Sequence, residues 1–379
     1  MGKVSLARAS LRYEWRRYLA AILAVTFAGL LIVVQVALLL GLLGSVSAVI
    51  DESGAQVWIG YRGTQSVDLG RGIAVSADLD ARLHPAVRRV EGLYQGYGDW
   101  RRDDGVAVTA VINGIDARPD GLAYAHLLAP AQRALLEEPG AVLIDEADRD
   151  KLNAYIGAPV EINGKRARIA GFVHGVRAVG GVTVLMGQPT LRYVLQDLPD
   201  RNQDLTYLLL ALAPGSDAAQ VAAQLTRTDS GRRHSLWPAD EFSLQSQLYW
   251  LFESGAGIGA GVASLLGLIV GAVITSQTLA SAILASLKEF AAMRALGVSR
   301  QALRNIVLEQ AFWIGACGLL LTALLSSGIG LLADWAQVPM LFPPWLLLGS
   351  TAIILAIALL SGLYALRPLY QADPATLLR

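Results

Sequence analysis

Charge is missing from four long stretches of this chain. No Asp, Glu, Lys or Arg falls between Arg17 and Asp51, between Glu253 and Lys288, between Glu309 and Asp334, or between Asp334 and Arg367. Over all 379 residues only 16% are charged and 54% are hydrophobic, against about 25% charged in an ordinary soluble domain. Each stretch is longer than the roughly 20 apolar residues that cross a bilayer core. Buried core helices seldom exceed about 20 residues and normally keep a polar stripe, which excludes a soluble four-helix core. From Asp51 to Glu253 the charge density is ordinary. The fold class expected is an α-helical membrane protein with four transmembrane helices. A mixed α/β extracytoplasmic (periplasmic) domain is inserted between helices 1 and 2.

Other absences narrow the chemistry. Cys317 is the one cysteine, so no intrachain disulfide forms. The outer block must be held by its own core, for which about 200 residues suffice. His84, His126, His174 and His234 are scattered and no Cys-x2-Cys or His-x3-His spacing occurs, so no metal site is expected. There is no Gly-x-Ser-x-Gly elbow. There is also no Gly-x4-Gly-Lys-(Ser/Thr) phosphate loop; the nearest string, Gly164-Lys165-Arg166, lacks the hydroxyl residue. The spans hold no Asp, Glu, Lys, Arg or His, which argues against a proton-coupled carrier or an ion channel. The chain is expected to be non-catalytic, to bind no cofactor of its own and to have no nucleic-acid partner.

The charges that are present set the sidedness. The N-terminal tail carries Lys3, Arg8, Arg12, Arg16 and Arg17; the segment before the third span carries Lys288, Arg294, Arg300 and Arg304; the C-terminal tail carries Arg367 and Arg379. The short loop between spans three and four holds only Asp334. Basic residues near span ends stay in the cytoplasm, which places both termini and the middle loop inside. The layout expected is 1–18 cytoplasmic tail, 19–49 helix 1, 50–253 periplasmic domain, 254–287 helix 2, 288–309 cytoplasmic loop, 310–333 helix 3, 334–342 outer loop, 343–366 helix 4 and 367–379 cytoplasmic tail. The first span is too long for a signal-peptide core of about 7–15 residues, so an uncleaved anchor is expected. Tyr249, Trp250 and Phe252 mark the outer edge of span two, where amphipathic rings favour the headgroup layer. The first two spans are longer than the bilayer is thick and are expected to rise into the outer domain as a stalk.

Within the outer block, strands are expected at Gln56–Tyr61, Gly105–Ile112, Ala141–Ile144, Pro159–Ile162, Ala167–Phe172, Thr183–Met186 and Thr206–Ala213. Asn163-Gly164 signals a tight hairpin. Helices are expected at Pro130–Glu137 and Ser216–Thr226, with Ser216 as the cap of the second and Ala219, Val221, Ala222 and Leu225 near one face.

Two motifs stand out in the membrane half. Gly257-x3-Gly261 and Gly267-x3-Gly271 put small residues on one face of span two, where helix backbones can approach. The inner loop reads Lys288-Glu289-Phe290-Ala291-Ala292-Met293-Arg294-Ala295-Leu296-Gly297-Val298-Ser299-Arg300. Phe290, Met293 and Leu296 make a short amphipathic helix that Gly297 can close in a left-handed cap, and Ser299 can cap the next helix.

This loop resembles the signature of the FtsX/MacB-type permease family, Glu-Phe-Ala-x-x-(Lys/Arg)-Ala-Leu-Gly-(Ala/Val)-(Ser/Thr), matched by Glu289, Phe290, Ala291, Arg294, Ala295, Leu296, Gly297 and Ser299. Arg367-Pro368-Leu369 followed by Ala372-Asp373-Pro374-Ala375 is similar to the family's closing segment. Ser53-Gly54-Ala55-Gln56-Val57-Trp58 looks closest to its DevC-like branch, in which the ATPase is a separate subunit.

The resemblance implies an ATP-binding-cassette permease of the mechanotransmission type (type VII), in the bacterial inner (plasma) membrane. It implies two copies of this chain with two ABC ATPase subunits that use ATP and magnesium. A periplasmic adaptor (membrane fusion) protein and an outer-membrane duct complete the exporter of a hydrophobic or amphiphilic substrate. It makes Glu289, Phe290, Met293, Arg294, Leu296, Gly297, Ser299 and Arg300 the ATPase-coupling element, with Asp373 and Pro374 as a second contact. The alternative is an FtsX-like regulator that activates cell-wall hydrolases without transport. A membrane-anchored outer hydrolase is the third class.

Overall fold

The computed structural model describes residues 13, 15–74, 77–101, 105–177, 181–196, 205–228, 233–285, 293, 297–336 and 338–365. The chain divides into two compact units, residues 42–256 and the remainder, 1–41 with 257–379.

Among the described residues, four helices are long and apolar enough to cross a bilayer: Tyr18–Asp51, Gly257–Thr278, Gln301–Trp335 and Pro344–Leu363. They belong to α1 (Trp15–Asp51), α8 (Ala256–Ala285), α9 (Arg300–Trp335) and α10 (Pro344–Ala365); the labels α2 to α7 are kept for the short helices between them. The packed seam joins α1, α9 and α10 through Tyr18, Ala21, Val25, Leu303, Val307, Ala311, Ile314 and Ile354. Thr26 and Thr322 add polar contacts between α1 and α9: Thr26 Oγ1 donates to the Gly318 carbonyl at 3.3 Å and Thr322 Oγ1 to the Thr26 carbonyl at 3.2 Å. Residues 300–309, assigned to the inner loop on sequence, are the first turns of α9. Their apolar side chains Leu303 and Val307 are buried in this seam.

Among the described residues the α/β unit contains nine strands: β1 (Val57–Tyr61), β2 (Val87–Arg101), β3 (Ala107–Ile115), β4 (Ala141–Asp145), β5 (Pro159–Ile162), β6 (Lys165–Val173), β7 (Val182–Gly187), β8 (Tyr207–Leu212) and β9 (His234–Pro238). Their order is β3-β7-β4-β6-β5-β2-β8-β1-β9, and β3 also pairs with β2. The pairings therefore close a ring of six strands, and β8, β1 and β9 extend from it through β2. The 15-residue β2 serves both parts. Its first half, from Val87 to Leu93, pairs with β8, and Tyr94 to Arg101 pair with β3. The β3–β7 and β4–β6 pairs are parallel.

Inside the ring lies one core of Trp100, Ile112, Val142, Ile144, Ile162, Val184 and their neighbours. A second core covers β1 and β8 with α2 (Ala77–Leu83) and α6 (Ala218–Thr228), through Ala81, Val221, Ala222 and Leu225. A third contains Trp58, Leu93, Leu143, Tyr207 and Phe242.

The seven expected strands are present, and Asn163 (φ 50°) and Gly164 (φ 75°) form the expected turn between β5 and β6. Two strands were not expected. In β2, Gly92, Gly96 and Gly98 interrupt the apolar alternation that would have marked it. They are there for room: a Cβ at Gly98 would lie 2.5 Å from the Ile112 side chain, and one at Gly92 would overlap Leu205. The other, β9, is an edge strand of mixed composition, half-buried along most of its length.

The expected cap of α6 is also corrected. Asp217, not Ser216, holds its first turn, its carboxylate accepting from the Ala219 N–H at 2.9 Å. Val221, Ala222 and Leu225 are buried, but Ala219 is exposed.

Candidate functional site

Two places in the chain have the construction of a working part. One is the turn ahead of α9, and the other is the end of α1.

At the turn, Gly297 adopts φ +90°, a region that L side chains avoid. The Val298 N–H donates to the Met293 carbonyl at 3.0 Å, the six-residue bond of a Schellman helix end. Two residues on, Ser299 is the N-cap of α9, its Oγ accepting from the Ala302 N–H at 3.2 Å. A stop and a start thus lie within three residues, which fixes the direction in which the chain enters α9. Glu289, Phe290, Arg294, Leu296, Asp373 and Pro374 lie outside the described residues, and of Arg300 only the backbone is described.

The glycine pairs of span two separate. Gly267 and Gly271 lie against α1, where a Cβ at Gly267 would be 3.1 Å from Leu31 and one at Gly271 would overlap Ala28. Gly257 is buried, but Gly261 faces open space, so the upstream pair forms no seam within one chain. The α1–α8 approach uses only the later rows.

The end of α1 is the second place. This helix runs unbroken for 37 residues, about 55 Å at 1.5 Å per residue. Its last turns belong to the α/β unit, and Val46, Val49 and Ile50 are buried there with Trp58, Leu122, Ala123, Tyr124 and Leu128. The end of α1 is thus part of the α/β core. The second span does not continue into the unit in the same way, because Gly255 turns the chain with φ +81° immediately before α8.

Three connections tie the end of α1 to the sheet. First, the loop after β3 is joined to it by backbone bonds from the Gly54 N–H to the Leu122 carbonyl (2.8 Å) and from the His126 N–H to the Glu52 carbonyl (3.1 Å).

Second, that loop is held by an ionic cluster. The buried carboxylate of Glu91 on β2 accepts from the N–H groups of Leu122 and of Ala123, the latter at 3.2 Å. The buried Arg133 of α3 (Pro130–Leu135) donates to the carbonyls of Asp116 (3.1 Å) and Ala123 (2.5 Å). Arg89 bridges Asp116 at 2.9 Å and also pairs with Asp120. Burial pushes the Glu91 carboxyl up, against its bonds to Leu122 and Ala123. Burial also pushes Asp116 up, but the hydrogen bonds and charge of Arg118, with the charge of Arg89, outweigh it and hold Asp116 low.

Third, α7 (Ala239–Leu248) is latched to α1. Gln247 Nε2 donates to Ser47 Oγ at 2.9 Å, and Ser47 Oγ donates to Asp51 at 2.6 Å. An aromatic cluster seats α7 on the sheet: Phe242 stacks on Trp237 of β9 (4.4 Å between ring centres) and touches Trp58 and Tyr207. Both strands of chain that leave the α/β unit are therefore joined inside it.

Sequence reasoning did not find Glu91, Arg89, Arg133, Ser47 or Gln247. Their tertiary partners lie between 10 and 200 positions away, and no local pattern marks them. Among the described residues no group of His, Cys, Asp or Glu converges as a metal site.

Comparisons with known proteins place this architecture. The model of the MacB-like periplasmic core domain matches residues 18–228, over half of the chain, and that of the FtsX-like permease C-terminal matches residues 261–374. No curated protein matches the chain. Among solved structures, the periplasmic region of MacB from Actinobacillus actinomycetemcomitans is similar at 13% identity and a TM-score of 0.37, over 52% of this chain and 94% of that one. The extracellular domain of the noncanonic ABC-type transporter YknZ from Gram-positive bacteria is similar at 11% identity and a TM-score of 0.34, over 48% and 98%. The chain belongs to the FtsX-like permeases that carry a MacB-like periplasmic core domain.

Proposed function

We propose that this chain is the permease subunit of a type VII ABC exporter, which couples ATP hydrolysis in a separate ATPase to movement of a hydrophobic or amphiphilic substrate on the periplasmic side. The observation that carries this reading is the single helix α1, apolar enough to span a membrane along most of its length and buried in the α/β core at its end. A continuous helix is a stiff rod; two units joined by a flexible linker would not pass a displacement from one to the other.

In this reading the assembly is a pair of these chains over a pair of ABC ATPases, which bind the ATP and magnesium. It lies in the bacterial inner membrane with both termini cytoplasmic, and the DevC-like branch is its place in the family. A periplasmic adaptor and an outer-membrane duct receive the substrate. Residues 289–300 dock on the ATPase, with Asp373 and Pro374 as the second contact. ATP binding closes the ATPase pair, the turn at Gly297 moves with it, and α1 passes the motion to the sheet through the loop held by Glu91.

The test is to purify the full chain from membranes with the ATPase that accompanies it, and to measure hydrolysis in proteoliposomes. The double charge reversal Arg294→Glu, Arg300→Glu is expected to lose the ATPase from the complex while the chain still inserts. Retention of the ATPase by that variant overturns the docking assignment. If an intact complex hydrolyses ATP and activates a cell-wall hydrolase without moving substrate, the regulator reading replaces the exporter.

A further inference from the structure

Helix α1 carries a buried row at spacings of four: Ala21, Val25, Gly29, Val33, Ala37 and Gly41. Four residues turn an α-helix by about 400°, so each step moves the row about 40° round the axis. Five steps bring Gly41 about 200° from Ala21, on nearly the opposite side of the helix. Helix α9 and the loop that follows it supply partners along the row. Ala21 lies in the seam with Leu303, Val307 and Ala311. A Cβ on Gly318 would come within 2.6 Å of Val25, and one on Gly29 within 2.7 Å of Thr322.

The far end of the row meets backbone. The Leu341 N–H donates to the Ala37 carbonyl at 3.0 Å, and a Cβ on Gly41 would overlap the Pro339 carbonyl. Glycine inside a helix costs about 1 kcal/mol against alanine; at Gly41 it makes room for this peptide. The loop is itself tied to α9. The Val338 N–H donates to the Ala333 carbonyl at 2.7 Å, and Phe342 lies against Gly330, whose Cβ would be 3.3 Å from the ring. Pro339 and Pro343 add two residues of fixed φ. Gly41 is also the last residue of α1 in the membrane unit.

We propose, on the coupling reading above, that this loop is the grip by which α9 moves α1, with Gly41 as its positioning residue. The Gly297 turn leads directly into α9. Helix α9 and its loop hold α1 from two sides, so α1 cannot tilt away from α9 without breaking the hold at one of them. A backbone contact has no rotamer that could relieve the push, and close-packed interiors transmit strain. Motion begun at the turn therefore travels along α9 and enters α1 at Ala37 and Gly41. The glycine row of α8 meets α1 at Ala28 and Leu31, about three turns before Gly41.

The experiment uses the full chain with its ATPase in nanodiscs and compares amide hydrogen exchange without nucleotide and after trapping with ATP, magnesium and vanadate. In the native complex, trapping is expected to change exchange about threefold or more, both at residues 293–304 and in the loop 116–128 that closes on the end of α1. In Gly41→Ala the change at 293–304 is expected to persist and the change at 116–128 to be lost. Alanine strengthens a helix relative to glycine, so the loss cannot come from a weakened α1. A Gly-Ser-Gly insertion between Val338 and Pro339 loosens the loop, leaves α1 untouched and is expected to act in the same way. Either variant that keeps the response at 116–128 overturns the grip. A response lost at both segments gives the contact a structural role only and also overturns it. A native complex with no response at 116–128 removes the coupling reading and the grip together, a result distinct from the failure of either variant.

Discussion

At Gly297 the backbone itself selects the residue. A left-handed φ of +90° costs an L side chain about 1–2 kcal/mol, and a β-branched one more. Gly297→Val is therefore expected to weaken the helix end recorded by the Val298–Met293 bond and to lower ATPase stimulation in proteoliposomes severalfold, with insertion unaffected. Full stimulation by the variant would mean that the turn has no part in coupling. This residue was readable in the sequence, because a glycine between an apolar turn and a Ser cap signals a helix end.

Glu91 was not readable, because its partners come from a loop 31 residues away. Its chemistry predicts a pH effect. A carboxyl raised above its ordinary value of 4.5 binds its proton more tightly in the folded chain. Its contribution to stability is complete below pH 4.5 and is lost as pH rises through the raised value. Asp116, held below its ordinary 3.8, acts in reverse and withdraws stability as pH falls through its lowered value. Glu91→Ala should abolish the first dependence in thermal unfolding of the full chain followed against pH. It should also cost about 1–3 kcal/mol by stranding the Leu122 and Ala123 N–H groups. An unchanged pH profile would remove Glu91 as its source.

Among the elements, α1 and α7 are the pair on which transmission would depend in the proposed function. The Gln247–Ser47 bond joins them inside the α/β unit, and Ser47 is fully buried. Gln247→Ala should cost about 1 kcal/mol in stability. It should lower coupled transport more than ATP hydrolysis, because the ATPase contact is untouched and only the far end is loosened. Equal losses in the two rates would argue that the latch is structural only.

Legibility at this scale followed the locality of the forces. The β5–β6 hairpin was legible because Asn163 and Gly164 specify their own turn. The four spans were legible because absence of charge is a property of each stretch alone. Strand β2 was hidden because its glycines answer to Leu205 and Ile112, neighbours that only the tertiary fold supplies. The break at Gly255 was hidden too: in an apolar, glycine-rich stretch, nothing local separates a glycine that turns the chain from one that continues a helix. For the same reason Gly261 could not be told from Gly267, although only the latter meets α1.

For the whole molecule, the charge distribution makes the most direct prediction. The inner segments assigned on sequence carry 11 basic and 4 acidic residues, and the α/β block from Asp51 to Glu253 carries 20 basic and 26 acidic. Basic flanks resist translocation, so in the proposed reading the turn at Gly297 is expected in the compartment of the ATPase and the α/β block in the other. Replacing Cys317 by Ser removes the only native thiol. Single cysteines can then be placed at Ser299, beside the turn, and at Val338, after α9. A membrane-impermeant maleimide applied to intact spheroplasts should label Val338→Cys and leave Ser299→Cys unmodified until the membrane is opened. The order of labelling decides the mechanism, since α9 carries one of these positions at its start and has the other just past its end. A reversed order would put the Schellman turn beyond reach of ATP, and α1 would then have no source of motion to pass on.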